Sequence, residues 1–222
     1  EEGIALVKKR KDFTYEYLAD NTDSFYVQSL STADALVLRT QPLTKADLEA
    51  APNLRIVSRH GVGFDAVDVK ALSEKGVLLT IVGDVNSQSV AEHSIALLLA
   101  ASKRIIKNDV ATRSGCWDYK NKLEPEELFG KKLLILGFGR VGKRLSRLAV
   151  AFGMEVLVFD PYVCPEDFST EGVTRVESLE SGLLVATHIS INMPAGETPL
   201  LTAKEFGLMQ EGVIIVNTAR GG

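Results

Sequence analysis

The sequence predicts an α/β fold in two domains, the second built on a doubly wound parallel sheet. Two observations predict it. From Lys131 onward, short continuous apolar runs alternate with helical patterns, as a parallel sheet covered on both faces requires. Upstream, residues 1–82 show a smaller strand and helix alternation, followed by a long apolar helix. The 222 residues can bury a sizeable core, and 45% hydrophobic with 24% charged residues is an ordinary globular composition.

The elements follow in order. Ala35–Leu38 and Arg55–Val57 read as short buried strands, and Thr44 as the cap of a helix opening at Lys45. Asp68–Lys75 reads as a helix closed by Gly76, and Val77–Val82 as a strand. This first unit contains no phosphate-binding loop. A single helix is predicted from Ser87 to about Val110, with Val90, Ile95, Leu98, Leu99 and Ile105 buried in a core or an interface. Ser114–Gly130 carries Trp117, Tyr119 and Phe129 among charges and reads as an irregular arm. Four strands complete the pattern: Lys132–Leu136, Glu155–Phe159, Leu184–Ile191 and Val213–Val216.

Composition excludes several function classes. A net charge of −4 provides no basic field for nucleic acid or anionic lipid. Cys116 and Cys164 form no C-x-x-C pair, and no His, Cys or carboxylate cluster has metal-ligand spacing, so no metal is expected. A cytoplasmic setting fits these cysteines. No apolar run reaches membrane-spanning length, and the first residues lack a signal-peptide pattern. They also lack a methionine, so residues upstream of Glu1 are expected.

The strand Leu133–Leu136 runs into Gly137-Phe138-Gly139-Arg140-Val141-Gly142, a G-x-G-x-x-G opening a helix. Gly137 permits the tight turn, Gly139 lets backbone approach a pyrophosphate, and Gly142 lets helix and strand pack closely. Alone the motif is weak evidence. Here the next strand ends at Asp160, about 20 residues on, where a carboxylate accepts ribose hydroxyls and repels a 2′-phosphate. The combination predicts a Rossmann-type domain that uses NAD rather than NADP. The plainer reading makes Asp160 a strand-end cap before Pro161.

Several segments together resemble the D-isomer-specific 2-hydroxyacid dehydrogenases, the family of phosphoglycerate, glycerate and formate dehydrogenases. They are Val37–Thr40, Gly61–Asp65, Asn86–His93, the glycine loop, Asp160-Pro161, and Val216-Asn217-Thr218-Ala219-Arg220-Gly221-Gly222. The resemblance implies a flavodoxin-like substrate-binding domain over residues 1–82 and a Rossmann-type NAD domain over residues 83–222. It implies hydride transfer between nicotinamide and C2 of a small 2-hydroxy or 2-keto acid. Val62 and Gly63 are implied to offer backbone N–H groups to the substrate carboxylate, and Arg220 to grip carboxylate and carbonyl oxygens. Arg39 is implied at the substrate, where it could select a phosphate, although a surface arginine is an equal reading. Thr218 and Ala219 are implied on the nicotinamide side, and Arg140 and Val141 at the pyrophosphate. The helix from Ser87 and the arm Ser114–Gly130 are implied to build a homodimer.

Asn192-Met193-Pro194 departs from the family, which often has His before that proline. The family's catalytic Glu and His follow the Arg and are expected beyond Gly222, so residues 1–222 alone are expected to lack turnover. Of the three histidines, His188 reads as a core residue and His93 as a packing or interface residue. His60, next to Gly61, is the rival base. Glu92 reads as a helix-face residue making a structural hydrogen bond. Two other functions remain open: a non-catalytic, NAD-sensing corepressor-like protein of the same fold, and an unrelated Rossmann enzyme such as a methyltransferase.

Overall fold

A computed structural model describes residues 2–18, 22, 25–164, 171–196 and 198–221. They form two compact units that divide between Val85 and Asn86 rather than after residue 82.

In the first unit, α1 (Glu2–Lys8) and α2 (Tyr26–Thr32) precede β1 (Ala35–Leu38), α3 (Lys45–Glu49), β2 (Ile56–Arg59), α4 (Val69–Lys75) and β3 (Leu78–Ile81). The strands pair in parallel in the order β1-β2-β3. Thr44 caps α3 in a capping box: its hydroxyl accepts from the Asp47 N–H, and Asp47 accepts from the Thr44 N–H. Lys75, at the end of α4, donates to the carbonyls of Leu48 and Ala51, adding a charged donor to acceptors that already receive the Ala51 and Leu54 N–H groups. Strand alternation sends Leu38 and Val57 into a core with Leu30, Leu48 and Leu72, while Val37 and Leu78 stay exposed on the other face.

The second unit begins with α5 (Ser87–Ser102) and α6 (Ile105–Arg113). The single helix predicted from Ser87 to about Val110 is therefore two helices. Tertiary contacts break it: the Ser102 carbonyl accepts from the Glu126 N–H, and the Ser102 hydroxyl meets His188 Nε2 at 2.9 Å. Arg104 then adopts a left-handed conformation, φ 51°, and Asn108 Nδ2 donates to the carbonyls of Lys103 and Arg104. The arm after α6 contains one 3₁₀ helix, Trp117–Lys122.

Next come β4 (Lys132–Leu136), α7 (Arg140–Ala151), β5 (Glu155–Phe159), β6 (Val173–Arg175), α8 (Leu179–Leu183), β7 (His188–Ile191), α9 (Ala203–Phe206) and β8 (Ile214–Asn217). All pairings are parallel, in the order β6-β5-β4-β7-β8. Both faces are covered. Leu133 and Ile135 pack with α5 and α7 residues Ile95, Leu98 and Leu145, whereas Leu134 and Leu136 pack with Leu183 and Ile189. Strand β6 was not expected, and β7 begins at His188 rather than Leu184. The cause of the shortening is local: Ser178 and Ser181 form a capping box that starts α8, Leu184 becomes the C-cap of that helix, and the Val185 and Ala186 N–H groups turn back to the Gly182 carbonyl. Strand β8 also lies one residue later than read, at Ile214–Asn217.

Candidate functional site

Parallel pairing brings the carboxyl ends of β4, β5, β7 and β8 to one edge of the sheet, where they run into Gly137, Asp160, Asn192 and Thr218. The chain order reverses between β4 and β7, the place where doubly wound sheets bind ligands. Three strand-to-strand steps separate β5 from β8, or about 14 Å at the usual spacing. That is the span a dinucleotide laid across the switch point has to bridge.

The glycine loop is built for close approach. Gly137 has φ +95°, and a Cβ there would lie 3.0 Å from the Asn192 carbonyl oxygen. A Cβ on Gly142 would stand 2.2 Å from the Gly137 carbonyl oxygen, so only glycine lets α7 pack this close to β4. Gly139 is the N-cap of α7 and makes no side-chain cap; the space a Cβ would take there is open. The amides of Arg140 and Val141 follow at the positive end of the α7 dipole, which suits a phosphate. This uncapped cradle fits a pyrophosphate.

Asp160 sits at the end of β5, half-buried. Its Oδ2 accepts from the Phe138 N–H at 2.8 Å and its Oδ1 from the Tyr162 N–H at 2.9 Å. The carboxylate thus does cap the strand end, and it also ties that end to the glycine loop. Each oxygen retains acceptor capacity for a further donor such as a ribose hydroxyl. Across the switch point, Asn192 Nδ2 donates to Ser190, while Asn192 Oδ1 is buried without a hydrogen-bond partner among the described residues.

At the end of β8 the side chain of Asn217 shapes the loop. Its Oδ1 accepts from the Ala219 N–H at 2.9 Å, and its Nδ2 donates to the Arg220 carbonyl at 2.6 Å. Thr218 Oγ1 lies 2.9 Å from the hydroxyl of buried Ser94 on α5. The Arg220 side chain is exposed, with Nη1 donating to the Ala219 carbonyl at 2.9 Å. A pocket of about 440 Å³ opens between Asn86, Ser89, His93 and Leu97 of the α5 face and Asn217 and Thr218. His93 is exposed on this wall. Gly222, last in the quoted motif, lies outside the described residues.

His188 is buried in β7, between Ser102 and the Thr187 hydroxyl, which meets its Nδ1 at 2.9 Å. Burial and the positive charge of Lys131 hold its pKa below the usual histidine value, against the opposing pull of Glu126. Glu92 accepts from Gln88 Nε2 at 2.7 Å.

In the first unit the loop after β2 carries Val62 and Gly63, half-buried, whose N–H groups have no acceptor among the described residues. Arg59 holds this loop: its Nη1 donates to the His60 carbonyl at 2.6 Å, and its guanidinium lies over Gly61. Val82 donates its N–H to the Gly61 carbonyl, and His60 its N–H to the Leu38 carbonyl. Arg39 is exposed just past β1. Sequence reasoning missed Arg59 and Ser94, and it singled out the wall residues Asn86 and Ser89 only as part of the Asn86–His93 segment, without a role. Arg59 left a signal in its place immediately before the glycine-rich loop. Ser94 left none, because a serine inside a helix announces no partner far along the chain.

Among the described residues no helix is long and apolar enough to cross a membrane, and no group of His, Cys, Asp and Glu could hold a metal ion. Residues 95–222 match the family described as D-isomer specific 2-hydroxyacid dehydrogenase, NAD binding domain. The chain is 42% identical over 193 residues to a D-3-phosphoglycerate dehydrogenase of Mycobacterium leprae, covering 86% of this chain and 36% of that protein. It is 34% identical over 222 residues to a hydroxypyruvate reductase of Thermotoga maritima, covering 99% of this chain and 70% of the reductase. Among solved structures, it is similar to the D-lactate dehydrogenase of Aquifex aeolicus complexed with NAD and lactic acid, with a TM-score of 0.90 at 28% identity. That match covers 100% of this chain and 67% of the other. The chain thus spans little more than a third of the phosphoglycerate dehydrogenases it matches.

Proposed function

The chain belongs to the D-isomer-specific 2-hydroxyacid dehydrogenase family, and from that premise we propose that it binds NAD and serves hydride transfer at C2 of a small 2-hydroxy or 2-keto acid. The observation that carries this reading is the uncapped glycine cradle at the switch point, with Asp160 on one side and the Thr218–Arg220 loop on the other. The amides of Arg140 and Val141, with Gly137, Gly139 and Gly142 beneath them, hold the pyrophosphate. Asp160 accepts the adenosine ribose hydroxyls and disfavours a 2′-phosphate. Thr218 and Ala219 contact the nicotinamide end. When bound, NAD supplies the hydride acceptor at nicotinamide C4.

The substrate is bound as an anion. The amides of Val62 and Gly63 bind its carboxylate, and the Arg220 guanidinium holds carboxylate and carbonyl oxygens as a fork. Arg39 selects a phosphate-bearing substrate within this class. The exposed apolar surface of α6 and the arm forms a homodimer interface, and a cytoplasmic setting suits the two free cysteines.

The test is NADH consumption by the full-length polypeptide with hydroxypyruvate, glyoxylate and phosphohydroxypyruvate. Oxidation with at least one, lost in Arg220→Ala, is the expected result. NADH binding without turnover on any of them would contradict the dehydrogenase reading and leave an NAD-sensing protein.

A further inference from the structure

Ser94 is fully buried in α5, and its hydroxyl makes two contacts at once. Its Oγ lies 2.9 Å from the Val90 carbonyl oxygen and 2.9 Å from Thr218 Oγ1. A hydroxyl has one hydrogen to donate and a carbonyl has none. The Ser94 hydrogen therefore goes to Val90, and the second contact is made with the hydrogen that Thr218 supplies. The chain of hydrogen bonds has one direction: Thr218 O–H to Ser94 Oγ, then Ser94 O–H to the Val90 carbonyl.

This direction has a consequence in the pocket of about 440 Å³ that Thr218 lines. With its hydrogen committed inward, Thr218 Oγ1 turns only lone pairs to a ligand, and donating to Ser94 strengthens it as an acceptor. Water cannot scramble the arrangement, because Ser94 is 0% exposed. The neighbouring Asn217 has both side-chain polar atoms engaged in its own loop, by Ala219 and Arg220. A back-bond to the helix would satisfy a mid-helix serine by itself. The added contact to a residue 124 positions away, on the loop before Arg220, is what a packing role leaves unexplained.

We propose that Ser94 is a positioning residue that makes Thr218 an acceptor-only contact, selecting a nicotinamide ring through the amino group of its carboxamide. The inference rests on the NAD reading above and adds a polarity to it. A ring carrying an acetyl group instead of the carboxamide has no N–H to offer and loses the contact.

The test is calorimetric titration of the protein with three ligands: NAD, its acetylpyridine analogue, and ADP-ribose, which lacks the ring. Wild-type protein is expected to favour NAD over the analogue by about fivefold, the value of one ordinary hydrogen bond. In Ser94→Ala the Thr218 hydroxyl is free to turn its hydrogen outward, and the preference falls towards unity while ADP-ribose affinity holds. Thr218→Val loses the preference in the same way from the exposed end, and Thr218→Ser keeps it. Unchanged discrimination in both Ser94→Ala and Thr218→Val, with ADP-ribose still bound, overturns the relay and leaves the NAD reading intact. Failure of wild-type protein to bind ADP-ribose or NAD overturns the NAD reading, and the relay with it.

Discussion

The Asp160 carboxylate accepts a hydrogen bond from the Phe138 N–H at 2.8 Å, so the acid at the end of β5 helps to hold the glycine loop at the end of β4. Replacing Asp160 removes two things together: a negative charge at the proposed ribose site and a strut under the loop. Asp160→Ala is expected to weaken NAD binding by about tenfold or more, the scale of a charge-assisted hydrogen bond. It should also narrow the preference for NAD over NADP. Parallel titrations with both dinucleotides check this; a wild-type protein that already binds NADP as well as NAD would contradict the role given to Asp160.

Gly142→Ala is expected to cost about 1–3 kcal/mol of stability, because the new methyl meets a backbone carbonyl rather than a flexible side chain. Relief requires α7 to move away from β4, which takes the Arg140 and Val141 amides with it. Loss of NAD affinity should therefore accompany a lower unfolding temperature. Gly139→Ala enters open space and should leave stability almost unchanged while obstructing the cradle. Thermal melts and titrations of the two variants separate the effects.

How much of this was legible in the sequence depended on how local each cause was. The glycine loop, the Thr44 cap and the apolar strands β4 and β5 are written in neighbouring residues, and the structure has them where the pattern put them. Strand β6 has three residues, Val173, Thr174 and Arg175, and only one of them is apolar, so there was no pattern to find. The break between α5 and α6 is imposed by Glu126 and His188, far along the chain, on a stretch whose own residues favour a continuous helix. In the site, residue types pointed to the anion and ribose contacts. The Thr218–Ser94 and Arg59–His60 bonds needed coordinates, because their geometry comes from packing.

His188 gives the second unit a pH dependence whose sign follows from its environment. Its folded pKa lies below the unfolded value of about 6.5, so the unfolded chain binds the extra proton. The contribution to stability is complete above about pH 6.5 and is lost as pH falls below that value towards the folded pKa. Protonation would also disturb the bonds to Ser102 and Thr187 that fix the end of α5. His188→Phe should flatten the stability profile between about pH 7 and 5, as denaturant unfolding at several pH values would reveal. An equal slope in the variant would assign that dependence to other groups.

Ile106, Trp117 and Phe129 are 74%, 71% and 75% exposed, an apolar surface that a lone subunit would leave in water. The same segment borders a hollow of about 440 Å³ lined by Ile106, Val110, Cys116 and Tyr119, suited to a partner's side chain. Light scattering at micromolar concentration is expected to give twice the subunit mass, and Ile106→Glu to shift it towards the subunit mass. A monomeric wild-type protein would contradict the interface.

Whether the β4–α7 cradle holds NAD with its ring at the β8 end is tested most directly by a crystal structure of the protein with NAD. The expected density places the pyrophosphate on the Arg140 and Val141 amides, the adenosine ribose on Asp160, and the nicotinamide beside Thr218. A dinucleotide bound elsewhere, or in the reverse sense with adenine beside Thr218, would contradict it.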